Sequence, residues 1–308
     1  MERAALSELP GLSPDRVELA VAFPPAFDPE QEHPILITQV TADRVHSNIA
    51  ELPMYAPAAL AAGYVVLTAQ GIPWPRNEAA GTLMHRYVSV RAALRWLGAE
   101  IPASARWPIV IAGFSGGAKI SQVLAVSLTL EQRPVAGVFL GGCNEDHSRL
   151  LLGQYPAVKE RFSRIAFFLS AGRQDRIAPL EAVHALAEGL RRSGVEHLEL
   201  SVHPGGHQLD QQDLSKALRW FRAQLPTART SRAVAHPGDA VGRAAASPHP
   251  LNGERAASVA SERGGSGWPS IRDAARARSS QRTSSLCPAA SVAVCRDRAA
   301  LRLQHGAR

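Results

Sequence analysis

Three residues, far apart in the chain, are of the types that make a serine into a nucleophile. Ser115 lies in Ile109–Lys119, I-V-I-A-G-F-S-G-G-A-K. An apolar β-branched run leads through a glycine to the serine, two more glycines follow, and then comes the helix-compatible run Ala118–Leu130. Strand, sharp turn and helix are the context in which G-x-S-x-G carries meaning. Gly113 and Gly117 flank a crowded turn, where a Cβ would collide with the facing strand or helix. Such a turn sets the serine Oγ at the C-terminal end of a strand, with a helix N-terminus behind it to favour developing negative charge.

A serine hydroxyl is weak unless a base takes its proton, and the base needs an acid to orient it. Asp175 follows the run Ile165–Ser170 in G-R-Q-D-R-I-A-P, 60 residues after Ser115. His207 follows the run Val195–Val202 in H-P-G-G-H-Q-L, a further 32 residues on. The order Ser, Asp, His is the one this kind of turn uses. His203 is a rival base, but it sits at a strand end where side chains pack into structure. His207 follows two glycines that give its loop freedom. Asp146, Asp210 and Asp213 are further acids; Asp146 follows the preceding strand, and the other two come after the histidine. Two backbone amides would hold an oxyanion. Gly116, the residue after the serine, supplies one. Val40 is the first choice for the second, with Gln39 and Thr41 behind it.

The elements that must position these groups alternate along the chain. Val17–Phe23 reads as an edge strand, stopped by Pro24 and Pro25. Ile35–Val40 is a buried-strand run. Asn48–Ala62 has helical spacing in spite of Pro53 and Pro57, and Gly63 suits its end. Tyr64–Ala69 is a strand, and Gln70–Asn77 a loop bearing Trp74. Glu78–Leu97 is a helix with Leu83, Tyr87, Val90, Leu94 and Leu97 on one stripe and Gly98 at its end. Trp107–Ala112, Val135–Leu140, Ile165–Ser170 and Val195–Val202 are strands. Helices fall between them, within Glu145–Arg164, at Pro179–Ser193, and finally at Leu209–Leu225. This alternation implies an α/β fold: a mostly parallel central sheet with helices on both faces, whose ligands bind outside the carboxyl ends of the strands.

Of 308 residues, 45% are hydrophobic, enough for a sizeable core. The net charge of +7 is concentrated at one end. Residues 227–308 hold 13 Arg, no Lys and 5 acids, so residues 1–226 carry 21 basic and 22 acidic side chains, a net of −1. The nearly neutral body implies no nucleic-acid partner. Beyond Pro226 the chain is rich in Ala, Arg and Ser without sustained periodicity, and is expected to be a disordered low-complexity tail. The expected organisation is one domain over 1–226 and a tail over 227–308. Cys143, Cys287 and Cys295 show neither disulfide nor metal spacing, so no metal or cofactor is expected. No apolar run reaches the ~18 residues of a membrane span. Met1–Pro10 lacks the apolar core of a signal peptide, which points to the cytoplasm; a chain shortened at that end would instead have lost a secretion signal.

With G113-F114-S115-G116-G117, G172-R173-Q174-D175 and G205-G206-H207 in these places, residues ~17–226 resemble the α/β-hydrolase superfamily, in particular small bacterial esterases and prolyl-oligopeptidase-like hydrolases. The resemblance implies acyl transfer through an acyl-serine, on a small-molecule ester, without metal or cofactor. The pattern departs from the family at Thr38-Gln39, where the oxyanion loop commonly begins His-Gly, and in its few N-terminal antiparallel strands. Leu150–Leu152, Tyr155, Phe162 and Trp74 are candidate walls for an apolar acyl group. A peptidase or amidase of the same fold, and a non-catalytic binding protein on the same scaffold, are the competing readings.

Overall fold

The computed structural model describes residues 16–41, 47–72, 79–225, 292–295 and 301–304. Trp74, the first 15 residues and most of the basic C-terminal segment therefore lie outside the described residues. Two units divide the chain, Met1–Leu225 with Thr283–Arg308, and Pro226–Arg282; the second is wholly outside them.

The strands are β1 (Arg16–Ala22), β2 (Ile35–Gln39), β3 (Val65–Ile72), β4 (Ile109–Phe114), β5 (Val135–Gly141), β6 (Ala166–Gly172) and β7 (Leu198–His203), followed by the short β8 (Val292–Cys295) and β9 (Leu301–Gln304). Their spatial order is β7-β6-β5-β4-β2-β3-β1-β8-β9. Strands β2 to β7 are parallel, and β1 runs antiparallel to β3. The helices are α1 (Leu52–Ala61), α2 (Ala79–Glu100), α3 (Gly116–Leu130), α4 (Ser148–Gln154), α5 (Lys159–Ser163), α6 (Leu180–Arg192) and α7 (Gln211–Gln224). The architecture is the expected one.

Alternation along the strands decides what packs where. Leu36, Val66, Val110, Ala112, Phe139 and Phe168 share one face, and against it lie Tyr55 and Ala59 of α1 with Leu214, Leu218 and Phe221 of α7. On the other face α2 and α3 pack together over β3, β2 and β4. Because both faces are covered, β2 and β6 are buried along their whole length and β4 as far as Gly113, rather than at alternate residues. Gly137 gives Phe221 its place, since a Cβ there would stand 2.6 Å from the ring. The helices are also tied by polar contacts. Asp213 of α7 accepts from Ser170 of β6 at 2.6 Å and from Ser201 of β7 at 2.7 Å. Tyr64 donates to the carbonyl of Leu218 at 2.9 Å.

Several boundaries differ from the sequence reading. Helix α1 starts at Leu52, not Asn48, because Pro53 fits only the first turn. Its end is as expected: Gly63 has φ +80°, and the Gly63 and Tyr64 amides bond back to Leu60 and Ala59. Helix α2 runs through Gly98 to Glu100, drawn on by the buried side chain of Ile101, whose amide donates to Leu97. The 145–164 segment holds two short helices rather than one. Strand β1 is not an edge, because Val292–Cys295 pairs along its outer side. The sequence reading placed no element beyond Pro226. V-A-V-C and L-R-L-Q are apolar enough to extend a sheet but too short to show a period.

Among the described residues, no helix is long and apolar enough to cross a membrane.

Phe221→Ala should leave a cavity at the centre of the α7 contact and cost about 3–5 kcal/mol of stability. This is expected as a lower urea midpoint with an unchanged slope.

Candidate active site

The turn from β4 into α3 is closely packed on both sides. Ser115 has φ 53° and ψ −120°, a conformation that L-residues rarely adopt and that costs on the order of 1–3 kcal/mol. Its neighbours explain how it is held. A Cβ on Gly113 would lie 2.3 Å from the carbonyl oxygen of Gly117, and one on Gly117 would lie 2.2 Å from that of Gln39. The serine amide donates to Gly141 of β5 at 2.8 Å, and its carbonyl accepts from Ala118 at 3.0 Å. The peptide is thereby fixed on both sides. The Oγ is left at the C-terminal end of the sheet and at the N-terminus of α3, where the first amides have no helical carbonyl to meet.

Asp175 and His207 reach the serine from the ends of β6 and β7. Their loops are joined by backbone bonds, Arg173 to the His203 carbonyl at 2.8 Å and Gln174 to the Gly205 carbonyl at 3.0 Å. Gly172 makes the fit possible, since a Cβ there would stand 2.3 Å from the Gly206 oxygen. The result is a continuous chain. Ser115 Oγ lies 2.9 Å from His207 Nε2, and His207 Nδ1 lies 2.8 Å from Asp175 Oδ2. The other oxygen of Asp175 accepts from the amides of Ile177 and Ala178, both at 2.8 Å. The imidazole packs on the ring of Phe114, centroids 4.7 Å apart. Its side chain keeps 17% exposure while that of Asp175 keeps 1%.

Burial by itself would raise the pKa of Asp175. The Ala178 amide, His207 and the Ile177 amide together outweigh it, and the carboxyl is held below its ordinary value. It is an anion that accepts three hydrogen bonds, one of them from the imidazole nitrogen that faces away from the serine.

The alternative residues have other work. His203 Nδ1 accepts from the Gly205 amide at 3.2 Å and so shapes the loop that carries His207. Asp210 caps α7 through the Asp213 amide, and Asp213 ties that helix to the sheet. Asp146 accepts from the amides of Ser148 and Arg149 at the start of α4. Cys143 is buried beside Gln122, and burial pushes its thiol up to about 11. Among the described residues, no three of His, Cys, Asp and Glu converge as a metal-ligand set. Of the candidate apolar walls, Leu152 and Phe162 are buried while Leu150 is 72% exposed.

The oxyanion side needs a correction. The Val40 amide is already taken, donating to the buried Asn48 Oδ1 at 3.0 Å. Gln39 belongs to the β2–β4 ladder, in register with Gly113. Thr41, a lesser alternative alongside Gln39, is the residue that abuts the Gly116 backbone: a Cβ on Gly116 would stand 3.0 Å from its Cγ2 and 3.4 Å from its Cα. Asn48 and Arg86 were missed by the sequence reading. Arg86 left a signal, since it falls three residues after Leu83 and four before Val90, a cation on the apolar stripe of α2.

The serine turn, the parallel sheet and the histidine loop after its last parallel strand decide the architecture. This is an α/β-hydrolase fold. No protein-family model matches the chain, and no curated protein does. Solved structures similar to it include the apo form of Thermogutta terrifontis esterase 2, at 17% identity over 68% of this chain and 89% of that one, TM-score 0.48. TT1662 from Thermus thermophilus is 20% identical over 67% and 92%, TM-score 0.49. The Pyrococcus furiosus esterase Pf2001 is 19% identical over 68% and 88%, TM-score 0.47. A bifunctional GH43-CE protein of Bacteroides eggerthii is 16% identical, TM-score 0.47, and this chain spans 36% of its length.

Two outcomes are expected. Gly117→Ala must displace backbone and should cost about 1–3 kcal/mol. Gly98→Ala, in open space inside a helix, should instead stabilise by about 0.5–1 kcal/mol; urea unfolding of both checks the contrast. The second concerns pH. A depressed folded pKa means that ionised Asp175 contributes stability that is present above the unfolded carboxylate value of about 3.9 and lost as pH falls through the folded one. Asp175→Asn should therefore melt below the wild type at neutral pH, with a gap that narrows as the pH is lowered past about 4.

Proposed function

We propose that the protein is a serine hydrolase that cleaves carboxylic esters of small molecules. The observation that carries this reading is the hydrogen-bonded chain from Ser115 through His207 to Asp175, with the serine held at a positive φ.

His207 Nε2 takes the Ser115 proton as Oγ adds to the ester carbonyl carbon. The carbonyl π electrons move to oxygen, giving a tetrahedral oxyanion. The Gly116 amide, at the first position of α3, donates to that oxygen. The second donor in this reading is the Thr41 amide. Collapse re-forms the carbonyl and breaks the bond to the alcohol, which leaves with the proton held by His207. Water then repeats the sequence on the acyl-serine and releases the acid. Asp175 holds the imidazole in the tautomer that accepts from serine and stabilises the imidazolium formed at each step. No step requires a group beyond these side chains, two amides and water. Ester rather than amide cleavage is the reading adopted because an ester carbonyl, less stabilised by resonance than an amide's, demands less of the same nucleophile. The nearly neutral body suits an uncharged substrate.

The test is the steady-state hydrolysis of p-nitrophenyl acetate and butyrate by the full chain. Ser115→Ala and His207→Ala should each lose about 10⁴-fold or more in kcat, the serine variant while keeping the wild-type melting curve. Undiminished turnover in folded Ser115→Ala would refute the assignment.

A further inference from the structure

The loop that closes the oxyanion side, residues 39–41, has an unusual support. Arg86 projects from α2 and is 1% exposed. Its Nη2 donates to the carbonyl of Val40 at 3.1 Å and reaches that of Thr41 at 3.5 Å, and its Nη1 reaches Gln39 Oε1 at 3.5 Å. From the other side Asn48 grips the same residues. Its Oδ1 accepts from the Val40 amide at 3.0 Å, and its Nδ2 is anchored on the Ala69 carbonyl of β3 at 2.7 Å. The Asn48 carbonyl in turn accepts from Thr68 at 3.2 Å.

These contacts fix one peptide plane. In a trans peptide the C=O and the N–H point in opposite directions. With the Val40 carbonyl turned to the guanidinium, the N–H of the same peptide, which belongs to Thr41, is directed away from Arg86. Thr41 abuts Gly116 through its Cγ2 and Cα, so this peptide lies beside the serine turn. The Val40 amide, turned to Asn48, is withdrawn from competition. A buried guanidinium is an expensive way to hold a loop that packing alone could hold. Its fork, however, meets the Val40 and Thr41 carbonyls through one nitrogen and the Gln39 side chain through the other from one fixed position, where an ammonium is a single point donor and an apolar side chain donates nothing.

We propose that Arg86 is a positioning residue for the oxyanion site, aiming the Thr41 amide at the transition-state oxygen, with Asn48 as the opposing jaw of the clamp. It touches no substrate. Its effect falls on a donor that is needed only once the carbonyl oxygen has become charged, so it should appear in kcat and not in ground-state binding. The inference rests on the hydrolase reading above.

The experiment compares full-length wild type, Arg86→Lys and Arg86→Met on p-nitrophenyl acetate, with melting curves for each and inhibition constants for a trifluoromethyl ketone, whose serine adduct carries the charged oxygen. Deleting an oxyanion donor outright costs about 10²–10³-fold, so misaiming one should cost about 10–100-fold. Expected for Arg86→Met is that loss in kcat, KM within about threefold, and an inhibition constant raised by a similar factor to the loss in kcat/KM. Arg86→Lys, which keeps the charge but offers one nitrogen in place of the fork, should fall between; it also serves if the methionine variant does not fold. A general loosening would instead lower the melting curve and raise KM, with no matching change in the ketone. Wild-type kcat and inhibition in either folded Arg86 variant would overturn the proposal alone. A wild type without ester turnover would overturn the hydrolase reading, and the clamp with it.

Discussion

The close approach of β2, β4 and the first turn of α3 is the constraint on which the site depends. Three backbones meet where Gly113 faces Gly117 and Gly117 faces Gln39, at distances that leave no room for a Cβ. Only there is Ser115 held at φ 53°, pinned by the Gly141 carbonyl on one side and Ala118 on the other. The strain in one residue is offset by packing that would fail if any of the three elements shifted. The serine is therefore placed by the sheet and not by its own loop. Its orientation is as rigid as the core beneath it.

The same economy governs the partner loops. Asp175 and His207 do not depend on long flexible segments. The loops that carry them are bonded to each other through Arg173, Gln174 and Gly205 before the side chains meet, and His203 secures the second loop from below. Asp175 is held as an anion by the amides of Ile177 and Ala178, in the turn that precedes α6, together with His207. Beside the serine turn, buried polar side chains replace packing. Arg86 and Asn48 hold residues 39–41 through their carbonyls and amide. Fold and chemistry meet in these contacts: each functional group is positioned by the end of a strand that both faces of the sheet already fix.

How much of this was legible in the sequence depends on what leaves a mark there. Strands buried on both faces show as unbroken apolar runs, and β2, β4 and β6 were readable for that reason. The serine turn was readable because close backbone approach demands glycine at stated positions. Helix ends were less so. Pro53 moved the start of α1 by its ring geometry, and Gly98 failed to end α2 because Ile101 had a core position to reach. The strand pairing of Val292–Cys295 with β1 spans a large separation in sequence and involves four residues, too few to show as a pattern. The oxyanion donor was the least legible part. A backbone amide has no identity in sequence, and the neighbouring Val40 carbonyl is held by Arg86, 46 residues away. The cation on the apolar stripe of α2 was the one trace of it.

Whether Ser115 is chemically activated is the central question, and covalent capture addresses it most directly. The full chain would be treated with a fluorophosphonate at neutral pH and examined by intact mass and peptide mapping. A single phosphonyl adduct on Ser115, formed stoichiometrically and absent from Ser115→Ala, is the expected result. A folded protein that stays unmodified, or one modified equally in the alanine variant, would contradict the assignment of this serine as a nucleophile.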